Sequence, residues 1–190
     1  MRTFLFGLLT VAFALISGPV GADEYDATIA VFKQAGPSAA FFESSYAYAV
    51  FPTIGKGGVG IGGAHGKGRV YAKGAYVGDT AMTQLTIGFQ LGGQAYSQIV
   101  FFQDQRAFDE FTSGNFEFGA QATAVAITAG ASAQAGTTGA SAGASSANAA
   151  GHATAAGEYH KGMAVFTVAK GGLMYEASIG GQKFSYTAKQ

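Results

Sequence analysis

The chain of 190 residues contains no cysteine and no tryptophan, and only three prolines. Without cysteine the protein cannot form a disulfide, a thiolate metal site or a lipid anchor on an N-terminal cysteine. Charged residues make up only 12% of the chain, and 11 basic residues balance 11 acidic ones. This balance excludes the overall positive charge that is typical of nucleic-acid-binding proteins. We therefore expect an apolar core to stabilise the fold, and no nucleic-acid partner.

Glycine, in contrast, is abundant, with 30 residues, and some of them form a repeated block. Residues 91–97 (LGGQAYS) and residues 179–185 (IGGQKFS) both run from an apolar residue through a glycine pair to Gln, one further residue, an aromatic residue and Ser. A glycine pair inside a strand pattern indicates a bend at the corner of a sheet or barrel. The repeat predicts a protein built on a bent β-sheet.

The first residues have the pattern of a targeting signal. Arg2 is followed by an apolar run over residues 4–16 and by small residues at positions 20–22. The apolar run is shorter than the roughly 20 residues of a membrane-spanning helix. We expect residues 1–22 to be a signal peptide that is cleaved after Ala22, and the mature protein to be exported and periplasmic or envelope-associated.

Residues 23–190 are interpreted as one domain of the α+β class. The prediction is a glycine-rich, mainly antiparallel β-sheet, either open or closed as a barrel, with N-terminal helices packed on it. Helices are predicted over residues 23–35 and 104–111, with a short helix between them that Ser38 caps. Pro52 is expected to end the first strand. Strands are predicted over residues 48–51, 58–64, 70–77, 82–102, 115–128, 163–168, 173–179 and 183–187.

The longest predicted strand alternates between apolar and polar residues. Leu85, with the apolar residues at positions 87, 89 and 91, lies on one face, and Gln84 lies on the other with the polar residues at positions 86 and 90. We expect the face of Leu85 to be dry and the face of Gln84 to be wet.

Residues 129–157 are of low complexity, consisting of Ala, Gly, Ser and Thr with three isolated polar residues and no charge. Such a segment has too little apolar surface to offset the entropy of ordering it. It is predicted to be a flexible insertion between two strands.

The motifs that resemble catalytic sites lack the context that their chemistry needs. Residues 58–63 fit GxGxxG, but no helical pattern follows that could hold a pyrophosphate at its N-terminus. Residues 139–143 fit GxSxG inside the low-complexity segment. His65, His152 and His160 lack the spacing of metal ligands. We expect a protein that is not an enzyme and has no cofactor and no metal site.

One group of residues has the composition of a binding site. No acidic residue occurs from position 44 to position 78, and this stretch contains glycines, four tyrosines and several basic residues. Basic residues near an anionic lipid surface contribute about 1 kcal/mol each. The predicted lipid-binding residues are Lys56, Lys67, Arg69 and Lys73.

Three blocks of the sequence resemble one known family. They are residues 49–63 (AVFPTIGKGGVGIGG), 88–97 (GFQLGGQAYS) and 171–181 (GGLMYEASIGG), and they occur in the family's order. Because of these blocks, the chain resembles the SYLF lipid-binding domain family over nearly all of residues 23–190. It is similar in particular to the exported bacterial members of that family.

The resemblance implies a non-enzymatic domain that associates with membranes, because eukaryotic members of the family bind phosphoinositides and some also bind actin filaments. An exported protein would not meet either of these. The expected partner is therefore an anionic phospholipid or membrane surface of the envelope. Two alternatives stay open: a small outer-membrane β-barrel, and a self-assembling envelope protein that uses residues 129–157.

Overall fold

The computed structural model describes residues 23–88, 94–120, 122, 124–127, 158–170 and 179–190. The predicted signal peptide, the predicted insertion at 129–157, the predicted bend at 92–93 and residues 173–178 of a predicted strand lie outside these ranges. The described elements are α1 (Glu24–Gln34), α2 (Gly36–Ala39), α3 (Phe41–Ser44), β1 (Ala47–Ala72), β2 (Ala75–Gly88), β3 (Gln94–Phe102), α4 (Gln105–Thr112), β4 (Phe116–Glu117), β5 (Val125–Ile127), β6 (Met163–Lys170) and β7 (Gln182–Ala188).

The seven strands form one sheet in the order β4-β7-β2-β1-β3-β6-β5. Every pairing between neighbours is antiparallel except that of β5 with β6, which is parallel. The prediction of an α+β fold with a mainly antiparallel sheet is confirmed. In the described residues the sheet is a curled half-barrel with β4 and β5 at its two edges.

The long strand β1 consists of two halves that lie side by side. Its first half pairs with β3 and its second half with β2. Gly66 lies against Thr53 and Ile54, and the rings of Tyr48 and Tyr71 stack with their centroids 5.3 Å apart. The chain reverses between the halves beyond Gly58, whose φ of +152° favours glycine.

Pro52 does not end a strand, and that prediction is wrong. The strand β1 runs through Pro52, and its register with β3 shifts between Phe51 and Ile54. A proline lacks the backbone N–H and is tolerated in a strand at such an irregularity.

The curl of the sheet is shown by a contact between strands that are not neighbours. The side chain of Gln98 on β3 donates to Gln182 Oε1 on β7 over 2.9 Å, and Gln182 donates to the Tyr96 hydroxyl over 3.2 Å. The two strands are separated by β1 and β2, and neighbouring strands of a sheet lie about 4.8 Å apart. Only a curled sheet brings these side chains together, so they line its concave face.

Apolar side chains cover both faces of the sheet. The helices α1–α3 pack on one face, where Phe32, Phe41 and Phe101 belong to one buried cluster. The helix α4 packs on the concave face, where the Phe111 ring lies 4.7 Å from that of Phe102 and 5.0 Å from that of Phe184. The predicted N-terminal helix and α4 are therefore confirmed as parts of the core.

The predicted wet and dry faces of the longest strand are wrong for Gln84 and Leu85, the first residue of each face. Gln84 is only 3% exposed and its Nε2 donates to the Gly180 carbonyl over 2.8 Å, whereas Leu85 is 79% exposed. The physical reason is that Gln84 faces the concave interior, where a backbone carbonyl satisfies its amide. The side chains of residues 86–91 lie outside the described part of the chain.

Three further predictions of local structure are corrected. Ser38 lies inside α2 and donates its hydroxyl to the Phe32 carbonyl over 2.6 Å instead of capping a helix. The predicted strand at 70–77 is divided by a turn at Lys73 and Gly74, which both have positive φ. Among the described residues of the predicted strand at 115–128, β4 and β5 are strands and the residues between them are not.

Candidate functional site: the basic β1–β2 hairpin

The second half of β1 and the whole of β2 form a long hairpin that carries most of the predicted site. Its ladder runs from the pair Gly60 and Gly88 to the pair Ala72 and Ala75. The two residues between the strands have φ values of 51° at Lys73 and 80° at Gly74. Two-residue hairpin loops favour such positive values because the twist of the loop then matches that of the strands.

The structure brings two of the four predicted residues together on one face. Lys67 and Arg69 are two positions apart on β1, so both side chains leave the same side of the sheet. The Tyr71 side chain lies on this side as well, and α1 covers part of this side. We call this side, from residue 61 to residue 69 on β1 and from residue 79 to residue 85 on β2, the outer face of the hairpin.

The other two predicted residues lie elsewhere. Lys73 is exposed at the turn, with Nζ 5.8 Å from the centre of the Tyr46 ring. Lys56 lies in the first half of β1, two positions after the buried Ile54, and therefore points toward the concave side. The four residues do not form a single cluster.

Arg69 is held by the N-terminus of α1. Its Nη1 donates to Asp23 Oδ2, and its guanidinium lies 4.0 Å from the centre of the Tyr25 ring. Asp23 is the N-cap of α1. The hydrogen bond from Arg69 is the main cause that lowers the pKa of Asp23. The Arg69 charge is therefore balanced within the fold, and its first role is to hold α1 on the sheet.

A second polar contact holds the next residue of α1. The Thr53 hydroxyl donates to Glu24 Oε1 over 2.8 Å, and Lys170 Nζ on β6 donates to Thr53 Oγ1 over 2.6 Å. Lys170 Nζ also lies 3.4 Å from Glu24 Oε1. The hydrogen bond from Thr53 is the main cause that lowers the pKa of Glu24. No sequence pattern indicates these partners, because Glu24, Thr53 and Lys170 are far apart along the chain.

Arg69→Gln is expected to loosen the docking of α1 in a pH-dependent way. Because the pKa of Asp23 is lowered in the folded protein, its ion pair stabilises the fold above the ordinary aspartate pKa of about 4. This contribution is lost as the pH falls through the lowered pKa. The urea midpoint of the variant should lie below that of the wild type at pH 7, and the two midpoints should converge toward pH 2.

Lys67→Gln is the matched control, because Lys67 lies on the same face and has no ion-pair partner in the part of the chain that the structure describes. It should show no pH-dependent difference of this kind. A midpoint difference for Arg69→Gln that is equal at pH 7 and pH 2 would mean that Arg69 acts only by packing on Tyr25.

The motifs that resemble catalytic sites acquire no catalytic setting in the described residues. The GxGxxG match at 58–63 lies within β1 and no helix begins there. His65 Nδ1 lies 3.3 Å from the Thr83 hydroxyl on the outer face. Within the described ranges, no group of three or more His, Asp or Glu side chains is arranged to hold a metal ion. The GxSxG match and His152 lie outside those ranges.

None of the helices in the described ranges is both long enough and apolar enough to span a membrane.

The fold and the hairpin define the class of protein: a β-dominated α+β domain, with helices on both faces of a curled sheet and a basic hairpin at its centre. The family model described as Ysc84, Las17-binding protein actin regulator, matches residues 83–189, which is more than half of the chain. The chain belongs to this family, which is also called SYLF. The resemblance inferred from the sequence is confirmed. No curated protein matches the chain.

The family match covers the end of β2 and all later elements, but not β1 or the N-terminal helices. Lys56, Lys67, Arg69 and Lys73 all precede the matched residues. Membership supports a lipid-binding or actin-regulating domain, whereas the role of the four residues depends on their own geometry.

Proposed function

We propose that this protein is a non-enzymatic, exported, periplasmic or envelope-associated domain that binds anionic phospholipid through the basic β1–β2 hairpin. Membership of the SYLF family supports a lipid-binding domain. The observation that carries the proposal is the exposure of Lys67 on a hairpin strand that lies in a stretch without acidic residues. The strand itself carries no carboxylate, whereas Asp79 on β2, the register partner of Arg69, is an acidic residue that an anionic surface would meet on the outer face.

The geometry refines the predicted set of lipid-binding residues. Lys67 is exposed and has no ion-pair partner within the described ranges, so its charge is available to an anionic surface. Arg69 contributes less than Lys67 to lipid binding, because an incoming phosphate would have to compete with Asp23 for the Arg69 guanidinium. Lys56 lies near the end of the hairpin that is opposite to Lys73, and it is partly buried.

The test is co-sedimentation of the purified protein with vesicles of neutral phosphatidylcholine and of phosphatidylcholine mixed with phosphatidylglycerol, over a series of salt concentrations. We expect binding to the anionic vesicles only, and weaker binding as salt screens the charges. Binding to neither kind of vesicle would contradict the proposed function.

Replacing Lys56, Lys67 and Lys73 together by glutamine is expected to weaken binding to anionic vesicles by roughly tenfold to a hundredfold. Each lysine that lies close to the lipid contributes about 1 kcal/mol, and about 1.4 kcal/mol corresponds to a factor of ten. The salt dependence should become flatter. Lys161→Gln, at an exposed lysine in the turn before β6, is the control and should bind like the wild type. Unchanged binding of the triple variant would contradict the assignment of the site.

Extraction distinguishes this function from the two alternatives drawn from the sequence. A peripheral lipid-binding protein should leave the membrane in high salt or carbonate, whereas an integral outer-membrane protein should require detergent. A self-assembling protein should instead form oligomers without lipid, and these should be lost when residues 129–157 are deleted.

A further inference from the structure

Two exposed aliphatic side chains lie together at the end of the hairpin that is opposite to Lys73. Large apolar side chains that are exposed in the described residues are Val31, Ile61 and Leu85. Ile61 is 73% exposed and Leu85 is 79% exposed. The ladder pairs Ile61 with Ile87 and Gly63 with Leu85, so Ile61 and Leu85 are diagonal neighbours on the outer face. We call these two residues the apolar tip.

The register of β2 explains why Leu85 is outside. Adjacent side chains of a strand point to opposite faces, and a slip of one residue would exchange those faces. The hydrogen bond from Gln84 to the Gly180 carbonyl holds Gln84 on the concave side, and Leu85 must then point outward. Single exposed leucines are common in soluble proteins. Two neighbouring aliphatic side chains at the end of a basic hairpin, however, form a small apolar surface on the outer face at that end.

A lysine behind the apolar tip offers a positive charge to an anionic partner. Gly63 is the register partner of Leu85, and Lys67 follows it by four residues on β1. Lys67 therefore lies about 13 Å along the strand from the tip. Its long side chain can extend toward the tip. Lys183 on β7 is the register partner of Thr83 and lies between these positions, with its Nζ 3.5 Å from Glu117. The positive charges of Lys183 and Arg69 are balanced by Glu117 and Asp23, so Lys67 supplies the positive charge behind the tip. Asp79, the register partner of Arg69, lies on the same face farther from the tip than Lys67.

We propose that Ile61 and Leu85 insert into the headgroup layer of an anionic membrane, with the hairpin approaching the lipid by this end and Lys67 contacting the phosphates behind it. Membrane-surface segments bury apolar side chains about 5 to 10 Å deep, which suits an apolar tip followed by a lysine. This inference rests on the proposed function, and it adds the direction of approach. Lys73 lies six residues beyond Lys67, about 20 Å farther from the lipid and beyond the screening length of about 8 Å.

Fluorescence can locate the tip directly, because the chain has no tryptophan of its own. Leu85→Trp places a single tryptophan at the tip, and Val31→Trp places one at an exposed position on α1 as the control. With phosphatidylcholine and phosphatidylglycerol vesicles that carry brominated acyl chains, Leu85→Trp should shift to shorter wavelength and be quenched. Val31→Trp should show neither change. Ile61→Trp is the second variant, and it should behave like Leu85→Trp.

Binding measurements give an independent readout. The double variant Ile61→Ser with Leu85→Ser is expected to bind anionic vesicles about tenfold more weakly at every salt concentration, because two aliphatic side chains no longer leave water. Lys67→Gln should reduce both the affinity and its salt dependence. Lys73→Gln should leave both unchanged. Circular dichroism should show that these exposed substitutions keep the fold.

The possible results separate the two proposals. Salt-sensitive binding to anionic vesicles without quenching of either tip tryptophan would overturn the insertion of the tip and leave the proposed function standing. A loss of binding in Lys73→Gln but not in Lys67→Gln would overturn the direction of approach. Failure of the wild type to bind any vesicle would contradict both proposals. A shift of the Leu85→Trp spectrum with protein concentration in the absence of vesicles would instead assign the tip to self-association.

Discussion

Replacing Phe111 by alanine is expected to lower the free energy of unfolding by about 4 kcal/mol. Phe111 is fully buried, and its ring contacts those of Phe102, Phe116 and Phe184 at centroid distances of 4.7, 5.7 and 5.0 Å. These partners belong to β3 and to the neighbouring strands β4 and β7, and β3 is separated from β7 in the sheet by β1 and β2 but meets it in the concave interior. Removing the ring leaves a cavity that three strands would have to close, and the curl of the sheet resists such a collapse.

Urea unfolding measures this loss, with circular dichroism as the signal. Glu110→Ala, at the preceding residue of α4, is the matched control. Glu110 is exposed and forms an i,i+4 ion pair with Arg106 at 3.3 Å, so its loss should change stability by less than about 0.5 kcal/mol. A loss for Phe111→Ala below about 1 kcal/mol would show that α4 is not part of the core.

Replacing Gly68 by valine is expected to destabilise the protein by about 3 kcal/mol, although valine favours strands. A Cβ at Gly68 would lie 2.6 Å from two ring carbons of Phe51 and 2.8 Å from the Val50 carbonyl oxygen. Phe51 is fully buried and in contact with Phe184, so the ring has little room to move away. The destabilisation follows from the close packing of the two halves of β1.

Gly55→Val is the control within the same strand. No atom lies within 4 Å of a Cβ at Gly55, and the residue is exposed. This variant should have a free energy of unfolding equal to that of the wild type or slightly higher, since valine has the greater strand propensity. Equal effects of the two substitutions on the urea midpoint would contradict the packing of Phe51 over Gly68.

The sequence predicted most of the local structure and the family correctly. The helix over residues 23–35 and the helix over residues 104–111 both form, and Asp23 and Asp104 serve as their N-caps. The strands at 163–168 and 183–187 form as well, and the glycine pair at 180–181, where a bend was predicted, lies in a turn before the last strand. These predictions succeeded because capping, amphipathic spacing and glycine pairs act over a few residues.

The candidate site was only partly predictable. The sequence shows the basic residues of the stretch without acids, but it does not show which of them are free to contact a partner. Arg69 is balanced by Asp23, which is 46 positions away, and Lys56 leaves the strand on the opposite side from Lys67. Leu85 of the apolar tip was assigned to the wrong environment, because alternation shows that Gln84 and Leu85 face opposite sides without showing which side is buried.

The amino-acid sequence by itself determined the positions of the two longer helices and of the last two strands, the family to which the chain belongs, and the absence of cysteine chemistry. Each of these follows from composition or from interactions between residues close together in the chain. Only the tertiary structure decided which face of each strand is interior and which charges remain available to a partner. The curl of the sheet brings Gln98 to Gln182 and gives Gln84 a carbonyl partner, so polar side chains become buried while Leu85 becomes exposed. Burial and charge pairing depend on contacts between distant segments, and those contacts exist only after the sheet has curled.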